Sequence, residues 1–299
     1  MSPARSQLVD AGDARIHVRC EGSGPAVVLL HGFTGSVESM QEVAKRLRAR
    51  HRVVCVDLVG HGSSEAPEDL ASYRIERCAA QLVRVAQVLR LGAAHWLGYS
   101  MGGRVALALA AWHPERVRSL CLVGASAGLA DPRERALRVR TDEALADSIE
   151  RDGLERFVEY WMALPLFASQ ARLGAAALAE ARAQRLRNRP QGLANSLRAM
   201  GSGAQPPLHA ALLELRAPVA LVVGEEDPKF RSLAGELARA LPDARVLVVA
   251  EAGHAAHLEQ PDAFAALALR FFAESEARTS RRSARDPRPR GRTMRRNPC

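Results

Sequence analysis

The sequence predicts an α/β fold, a mostly parallel sheet flanked by helices and interrupted by an inserted helical cap. Three observations carry this reading. Short apolar runs alternate with longer amphipathic stretches at the spacing of strands and crossover helices. Most of these runs are near-continuous Val and Leu, which suits strands covered on both faces. The rhythm then breaks once, between residues 125 and 217, into Ala- and Arg-rich helical sequence with Leu164-Pro165-Leu166 and Pro206-Pro207 as interruptions.

In chain order, strands are expected at 16–20, 26–30, 53–56, 94–97, 117–123, 219–223 and 245–249, and helices near 38–49, 75–91, 101–113, 231–240 and 261–272. The chain therefore divides into a first core segment at 1–124, the cap at 125–217, a second core segment at 218–273 and a basic tail at 274–299. An insertion between two sheet strands emerges at the carboxyl edge of the sheet, where open α/β folds bind ligands, so the cap is expected to cover the site.

The formal net charge of +9 raises the question of nucleic acid, and its distribution answers it. From residue 277 onward there are nine Arg against one Asp, which leaves only about +1 for the rest of the chain. That tail has almost no apolar residues and is predicted to be disordered, and it lacks the aromatic residues that stack on bases. Neither nucleic acid nor membrane insertion is expected, because no apolar run reaches the ~18 residues of a membrane span. The start MSPARSQLVDAG is unlike a signal peptide, and the five Cys follow no paired spacing. A cytoplasmic protein with reduced cysteines, monomeric or weakly self-associating, is the expectation.

The chemistry is concentrated at strand ends. Gly98-Tyr99-Ser100-Met101-Gly102 is a G-x-S-x-G match directly between a predicted strand and a predicted helix. Small residues on both sides let the chain turn sharply and lift the Ser100 hydroxyl into a cleft. A serine hydroxyl is a poor nucleophile or base at neutral pH, so it needs an imidazole, and the imidazole needs an acid to fix its tautomer. Gly224-Glu225-Glu226-Asp227 and Ala252-Gly253-His254 follow later strands in the required order. His254 is the base candidate. Asp227 is the preferred acid, with Glu225 and Glu226 as competitors.

Two backbone donors are needed for a developing oxyanion, and the amides of Met101 and Phe33 occupy the expected loops. Nine histidines invite a metal, yet His254 with His257, and His31, His61 and His113 on separate elements, lack zinc-site spacing, so neither metal nor cofactor is expected. Asp57 is read as a turn organiser. Arg104 stands four residues after Ser100 on one helix and should share its face. Arg138, Arg140 and Arg187 add fork-shaped donors suited to carboxylates near Trp161.

Taken together, H-G-F at 31–33, D-L-V-G-H-G at 57–62, G-Y-S-M-G-G at 98–103, the helical cap, G-E-E-D at 224–227 and A-G-H at 252–254 resemble the α/β-hydrolase superfamily from about residue 14 to 272. The cap stretches TDEALAD, YWMALPLFASQ and RNRPQGLANSLRAMGSGAQPPL resemble one branch, the 2-succinyl-6-hydroxy-2,4-cyclohexadiene-1-carboxylate synthases of menaquinone biosynthesis. That resemblance implies an eight-stranded sheet and a lyase that eliminates pyruvate from a polycarboxylate, with Ser100 as base and Asp227 and His254 behind it. It also implies anion-binding roles for Arg104, Arg138 and Arg187, with Tyr99 and Trp161 lining the site. The chain departs from the branch at Ala255, where Asn is usual, and at Val59, where Pro is usual. A hydrolase of an ester or carbon–carbon bond in an acidic substrate and a noncatalytic ligand receptor are the alternative readings.

Overall fold

A computed structural model describes residues 4–285. Eight strands form one sheet in the order β1-β2-β4-β3-β5-β6-β7-β8. They are β1 (Arg5–Asp10), β2 (Arg15–Glu21), β3 (Ala26–Leu30), β4 (Arg52–Val56), β5 (Ala94–Tyr99), β6 (Val117–Val123), β7 (Val219–Gly224) and β8 (Ala244–Val249). β2 pairs antiparallel with both β1 and β4, and every pairing from β4 to β8 is parallel. β1 is absent from the strands read from sequence, because only Val9 in it is buried and the other positions are exposed.

Period-two alternation sorts the sheet residues onto two cores. Val28, Leu30, Trp96 and Leu122 face one cluster, while Val27, Leu29, Leu97 and Val123 face the other. The first face is covered by α2 (Ile75–Val88), α3 (Met101–Trp112) and α9 (Pro228–Ala240), the second by α1 (Gln41–Leu47) and α11 (Pro261–Arg285). Each large aliphatic side chain buried this way contributes about 1.5–3 kcal/mol. β3 leads leftward to β4, and the chain then crosses to β5 on the other side of β3. The loops after β3 and β5 therefore meet at a topological switch point, where open α/β sheets bind ligands.

Only helices separate β6 from β7: α4 (Pro132–Asp152), α5 (Leu154–Met162), a 3-10 stretch at Pro165–Leu173, α6 (Gly174–Arg185), α7 (Pro190–Met200) and α8 (His209–Leu212). Asp131 caps α4 by accepting from the amides of Arg133 and Glu134, with Pro132 opening the helix. Ala146, Ile149, Phe157, Val158, Leu193, Ala194 and Leu197 form a separate small core for the insertion, and Phe33 of the loop after β3 packs against it. The short α10 (Ala256–Glu259) precedes α11.

One boundary needs correction. The segment 274–299, expected to be disordered, continues α11 as helix through Arg285, and residues 286–299 lie outside the described residues. Interactions that composition hides prolong the helix: Ser275 is buried and donates to the Phe271 carbonyl, and Arg278 pairs with Asp243 at 2.6 Å. Cys55, Cys78 and Cys121 are free and buried, and burial pushes the Cys78 and Cys121 thiols up to about 12. Among the described residues no single helix is long and apolar enough to cross a membrane.

Candidate active site

β5 ends at Tyr99 and α3 starts at Met101, so Ser100 carries the whole turn, with φ 49° and ψ −107°. A non-glycine residue at positive φ is strained by about 1–3 kcal/mol, and packing around it must hold the shape. The flanking glycines make that packing possible. A Cβ on Gly98 would overlap the Gly102 backbone, and one on Gly102 would overlap the carbonyl oxygens of Leu30 and His31. The Ser100 amide donates to the Val123 carbonyl of β6 at 2.8 Å, anchoring the turn to the sheet.

His254 follows β8 and is buried. Its Nε2 lies 3.2 Å from Ser100 Oγ and its Nδ1 lies 2.8 Å from Asp227 Oδ2. Asp227 is the N-cap of α9, where its other oxygen accepts from the Phe230 amide at 3.1 Å. Both carboxylate oxygens are therefore committed, and the carboxylate fixes the ring with its proton on Nδ1 and its lone pair toward the serine. The competing acids are engaged elsewhere. Glu225 accepts from the Glu251 amide, and Glu226 pairs with Arg172 at 2.9 Å.

The loop after β3 is held by a separate set of bonds. His31 donates from Nδ1 to the Gly32 carbonyl at 2.8 Å and accepts at Nε2 from the Leu58 amide at 3.0 Å. Asp57 accepts from the Val37 and Ser63 amides and bonds His17 at 2.8 Å. Burial opposes its charge, but the His17 bond, the His31 imidazole and the two amides prevail and hold its carboxyl below the usual range. Asp57 thus ties three loops together. Among the described residues, the amides of Phe33 and Met101 donate no hydrogen bond. Two unpaired N–H groups beside a strained serine and a fixed imidazole can take a proton and stabilise an adjacent negative oxygen.

The family model for the alpha/beta hydrolase fold matches residues 25–261. The chain belongs to the α/β-hydrolase-fold family. Within it, this α/β hydrolase is 43% identical over 247 residues to a Bacillus subtilis protein named putative 2-succinyl-6-hydroxy-2,4-cyclohexadiene-1-carboxylate synthase, covering 83% of this chain and 90% of that one. It is 31% identical to the Serratia proteamaculans protein named as the same synthase, covering 84% and 94%. Its fold matches the structure described as MenH from S. aureus with a TM-score of 0.82 at 28% identity, covering 92% and 100%.

The side chains around this α/β-hydrolase centre sort into walls and cations. Trp161 packs edge-on against Phe33 at 5.2 Å and lies 5.8 Å from Phe167, whose ring in turn is 6.2 Å from His254. Tyr99 packs at a tilt against His254 at 5.3 Å and against His257 at 4.4 Å, so its ring supports the imidazole from one side. Burial raises its phenol pKa, opposed by the Arg185 charge.

The three arginines expected to bind an anion are already occupied. Arg104 donates to the Met200 carbonyl at 2.9 Å and to Gln205 at 2.7 Å, joining α3 to the insertion. Burial, helped by the Arg138 charge and opposed by Asp142, lowers its pKa to about 10. Arg138 pairs with the buried Asp142 at 2.8 Å. Arg187 pairs with Glu38 at 2.8 Å, with both side chains largely exposed, and no contact ties it to the triad.

Arg185, two residues earlier, went unnoticed in the sequence. It ends α6, donates to the Ala181 carbonyl, has a buried Nε without a partner and makes no ion pair among the described residues. Burial lowers its pKa, and the neighbour that partly offsets this is the Tyr99 phenol under His254. No carboxylate compensates it, which distinguishes it from Arg187. Two arginines two residues apart look alike in sequence; only the structure shows that Arg185, the last residue of α6, is largely covered while Arg187, in the turn beyond it, is exposed.

Proposed function

We propose that this chain eliminates pyruvate from 2-succinyl-5-enolpyruvyl-6-hydroxy-3-cyclohexene-1-carboxylate to give 2-succinyl-6-hydroxy-2,4-cyclohexadiene-1-carboxylate, a step of menaquinone biosynthesis. The observation that carries this reading is the hydrogen-bonded relay Ser100–His254–Asp227, with an uncompensated Arg185 facing the Tyr99 ring that packs against His254, in a chain similar along its folded length to synthases named for that product.

In this reading Ser100 Oγ, its own proton drawn to His254, removes the ring proton at C2 next to the succinyl ketone. Electrons from that C–H bond form C2=C3, those of the former C3=C4 bond form C4=C5, and the C5–O bond breaks. The leaving enolpyruvate takes the electron pair, regains a proton from the relay and tautomerises to pyruvate. As the proton leaves, charge collects on the ketone oxygen, where the Phe33 and Met101 amides hold it. Arg185 attracts a substrate carboxylate, Tyr99 supports the imidazole, and the Trp161 and Phe33 rings exclude water. Arg104 and Arg187 act indirectly, tying the insertion to α3 and to Glu38, and Arg138 pairs with Asp142 inside α4. The substrate is a small polycarboxylate, and the free, buried thiols support a reducing cytoplasmic setting.

The test is incubation of purified protein with the enolpyruvyl substrate, following pyruvate and the conjugated diene together. Equimolar appearance of both supports the lyase; absence of pyruvate refutes it. The same relay and free amides also suit acyl transfer, so an ester hydrolase of acidic substrates is the second reading. Rapid turnover of a simple aryl ester without pyruvate release would favour it.

A further inference from the structure

Away from this centre, His51, His95 and Glu276 converge from three parts of the chain. His51 closes the turn before β4, His95 is the second residue of β5, and Glu276 lies on α11. Ser100 follows the opposite end of β5, so the cluster stands on the order of 16 Å away along that strand. The Nε2 atoms of His51 and His95 lie 3.3 and 3.2 Å from the same oxygen of Glu276, and the three donor atoms all fall within 4.8 Å of one another. Both imidazoles are buried, and the Phe272 ring covers them at 5.6 and 4.7 Å.

We propose that His51, His95 and Glu276 form a zinc site that pins the C-terminal helix to the amino end of the sheet. The donor set fits zinc, which takes imidazole nitrogen and carboxylate oxygen at about 2.0–2.1 Å in a tetrahedron whose edges are then about 3.3 Å. The two His–Glu separations already match that edge. One carboxylate with two imidazoles does not suit Ca²⁺ or Mg²⁺, which take mainly oxygen ligands. A metal-ligating imidazole needs a partner for its other nitrogen, and His95 Nδ1 has one in Ser119 Oγ at 2.7 Å. With Nε2 turned to zinc, each ring carries its proton on Nδ1, which on His95 faces Ser119 Oγ and on His51 has no partner among the described residues, so the His51 bond is the weaker of the two. Water completes the fourth position.

The test uses full-length protein stripped with a chelator and titrated with Zn²⁺ alone, read by native mass spectrometry and thermal melting. One zinc per chain and a rise of a few degrees in Tm are expected. Both are lost in Glu276→Gln and in His51→Asn, and both persist in His254→Ala, which separates this site from zinc captured by the catalytic imidazole. Mg²⁺ produces no rise. Tetrahedral Co²⁺ bands in the visible spectrum, present in the wild type and absent in Glu276→Gln, give a readout independent of stability. No zinc uptake by the wild type, or undiminished uptake in both ligand variants, overturns the proposal.

Discussion

Gly124, just past the end of β6, lies directly against the His254 imidazole: a Cβ built on it would come within 2.7 Å of Cε1 and 2.9 Å of Nδ1. Its φ of +56° is a conformation in which side chains are strained, so the absence of a side chain is required twice, by backbone and by ring. Gly124→Ala pushes the imidazole off the line between Asp227 and Ser100. A displacement of this size costs about 10²-fold in kcat, because a relay depends on angstrom-level placement. Steady-state kinetics show a fall in kcat with KM within about threefold, while the melting temperature drops by a few degrees from the backbone strain. An unchanged kcat in a folded Gly124→Ala protein would show that the ring is free to move.

Ser100→Ala removes the group that meets the substrate proton but leaves the Phe33 and Met101 amides and Arg185 in place. Turnover is expected to fall by about 10³-fold or more, as when a member of such a relay is deleted. Isothermal titration with the cyclohexadiene product should retain affinity within about threefold. Because the replacement also sits at φ 49°, circular dichroism and melting are needed to show that the elbow survives.

The core strands, the serine elbow and the order of the triad were legible because each depends on local sequence: a Val/Leu run, a glycine pair, a strand followed by a turn. What was not legible depends on long-range packing. β1 is polar on its exposed face and is a strand only because β2 pairs with it from Arg5 to Asp10. Asp227 was already the preferred acid in the sequence; the folded loop adds the reason, since its carboxylate reaches His254 while Glu225 and Glu226 are engaged elsewhere. The choice between Arg185 and Arg187 rests on where α6 ends, since Arg185 is its last residue and Arg187 lies in the turn that follows. The helical character of residues 274–285 comes from partners on other elements, Asp243 among them, that a charge count cannot see.

Arg185→Ala and Arg187→Ala separate an inward cation from a surface pair. Removing an uncompensated arginine that holds a substrate carboxylate raises KM by about 10–100-fold, since charge-assisted hydrogen bonds contribute about 1.5–3 kcal/mol. Stability should hold or rise slightly, because the guanidinium is partly desolvated without a counter-ion. Arg187 and Glu38 are an exposed pair worth about 1 kcal/mol at most, so Arg187→Ala should leave KM within about twofold. Equal effects of the two substitutions would sink the assignment of Arg185.

Arg104 makes a different prediction from a simple ligand-binding residue. Its bonds to Met200 and Gln205 fasten the helix bearing Ser100 to the insertion, so Arg104→Met leaves a buried carbonyl and amide without their donor. The expected cost is about 2–4 kcal/mol in urea unfolding, together with weaker substrate binding as the insertion loosens. Substrate affinity lost with no change in unfolding free energy would instead assign Arg104 to the ligand alone.

His257 gives the acid response of the fold a specific origin. It is fully buried between Tyr99 and Phe264, and neither ring nitrogen has a partner among the described residues. Burial, reinforced by His254, depresses its pKa from 6.5 to about 3, so the folded protein refuses a proton that the unfolded chain accepts. The unfolded state then binds more protons between those values, and stability falls as pH is lowered from about 6.5, with the loss complete near 3. A single such ring steepens the decline by up to about 1.4 kcal/mol per pH unit. His257→Leu keeps a similar volume and removes both unpaired nitrogens, so at pH 7 it should be as stable as the wild type or about 1 kcal/mol more so. Urea unfolding at pH 7.0, 5.5 and 4.5 is the measurement: the other buried histidines contribute equally to both proteins, and the gap between the two curves must widen toward acid. A gap that stays constant with pH would mean that His257 takes up its proton in the folded state as readily as in the unfolded chain, against the packing of Tyr99 and Phe264 around it.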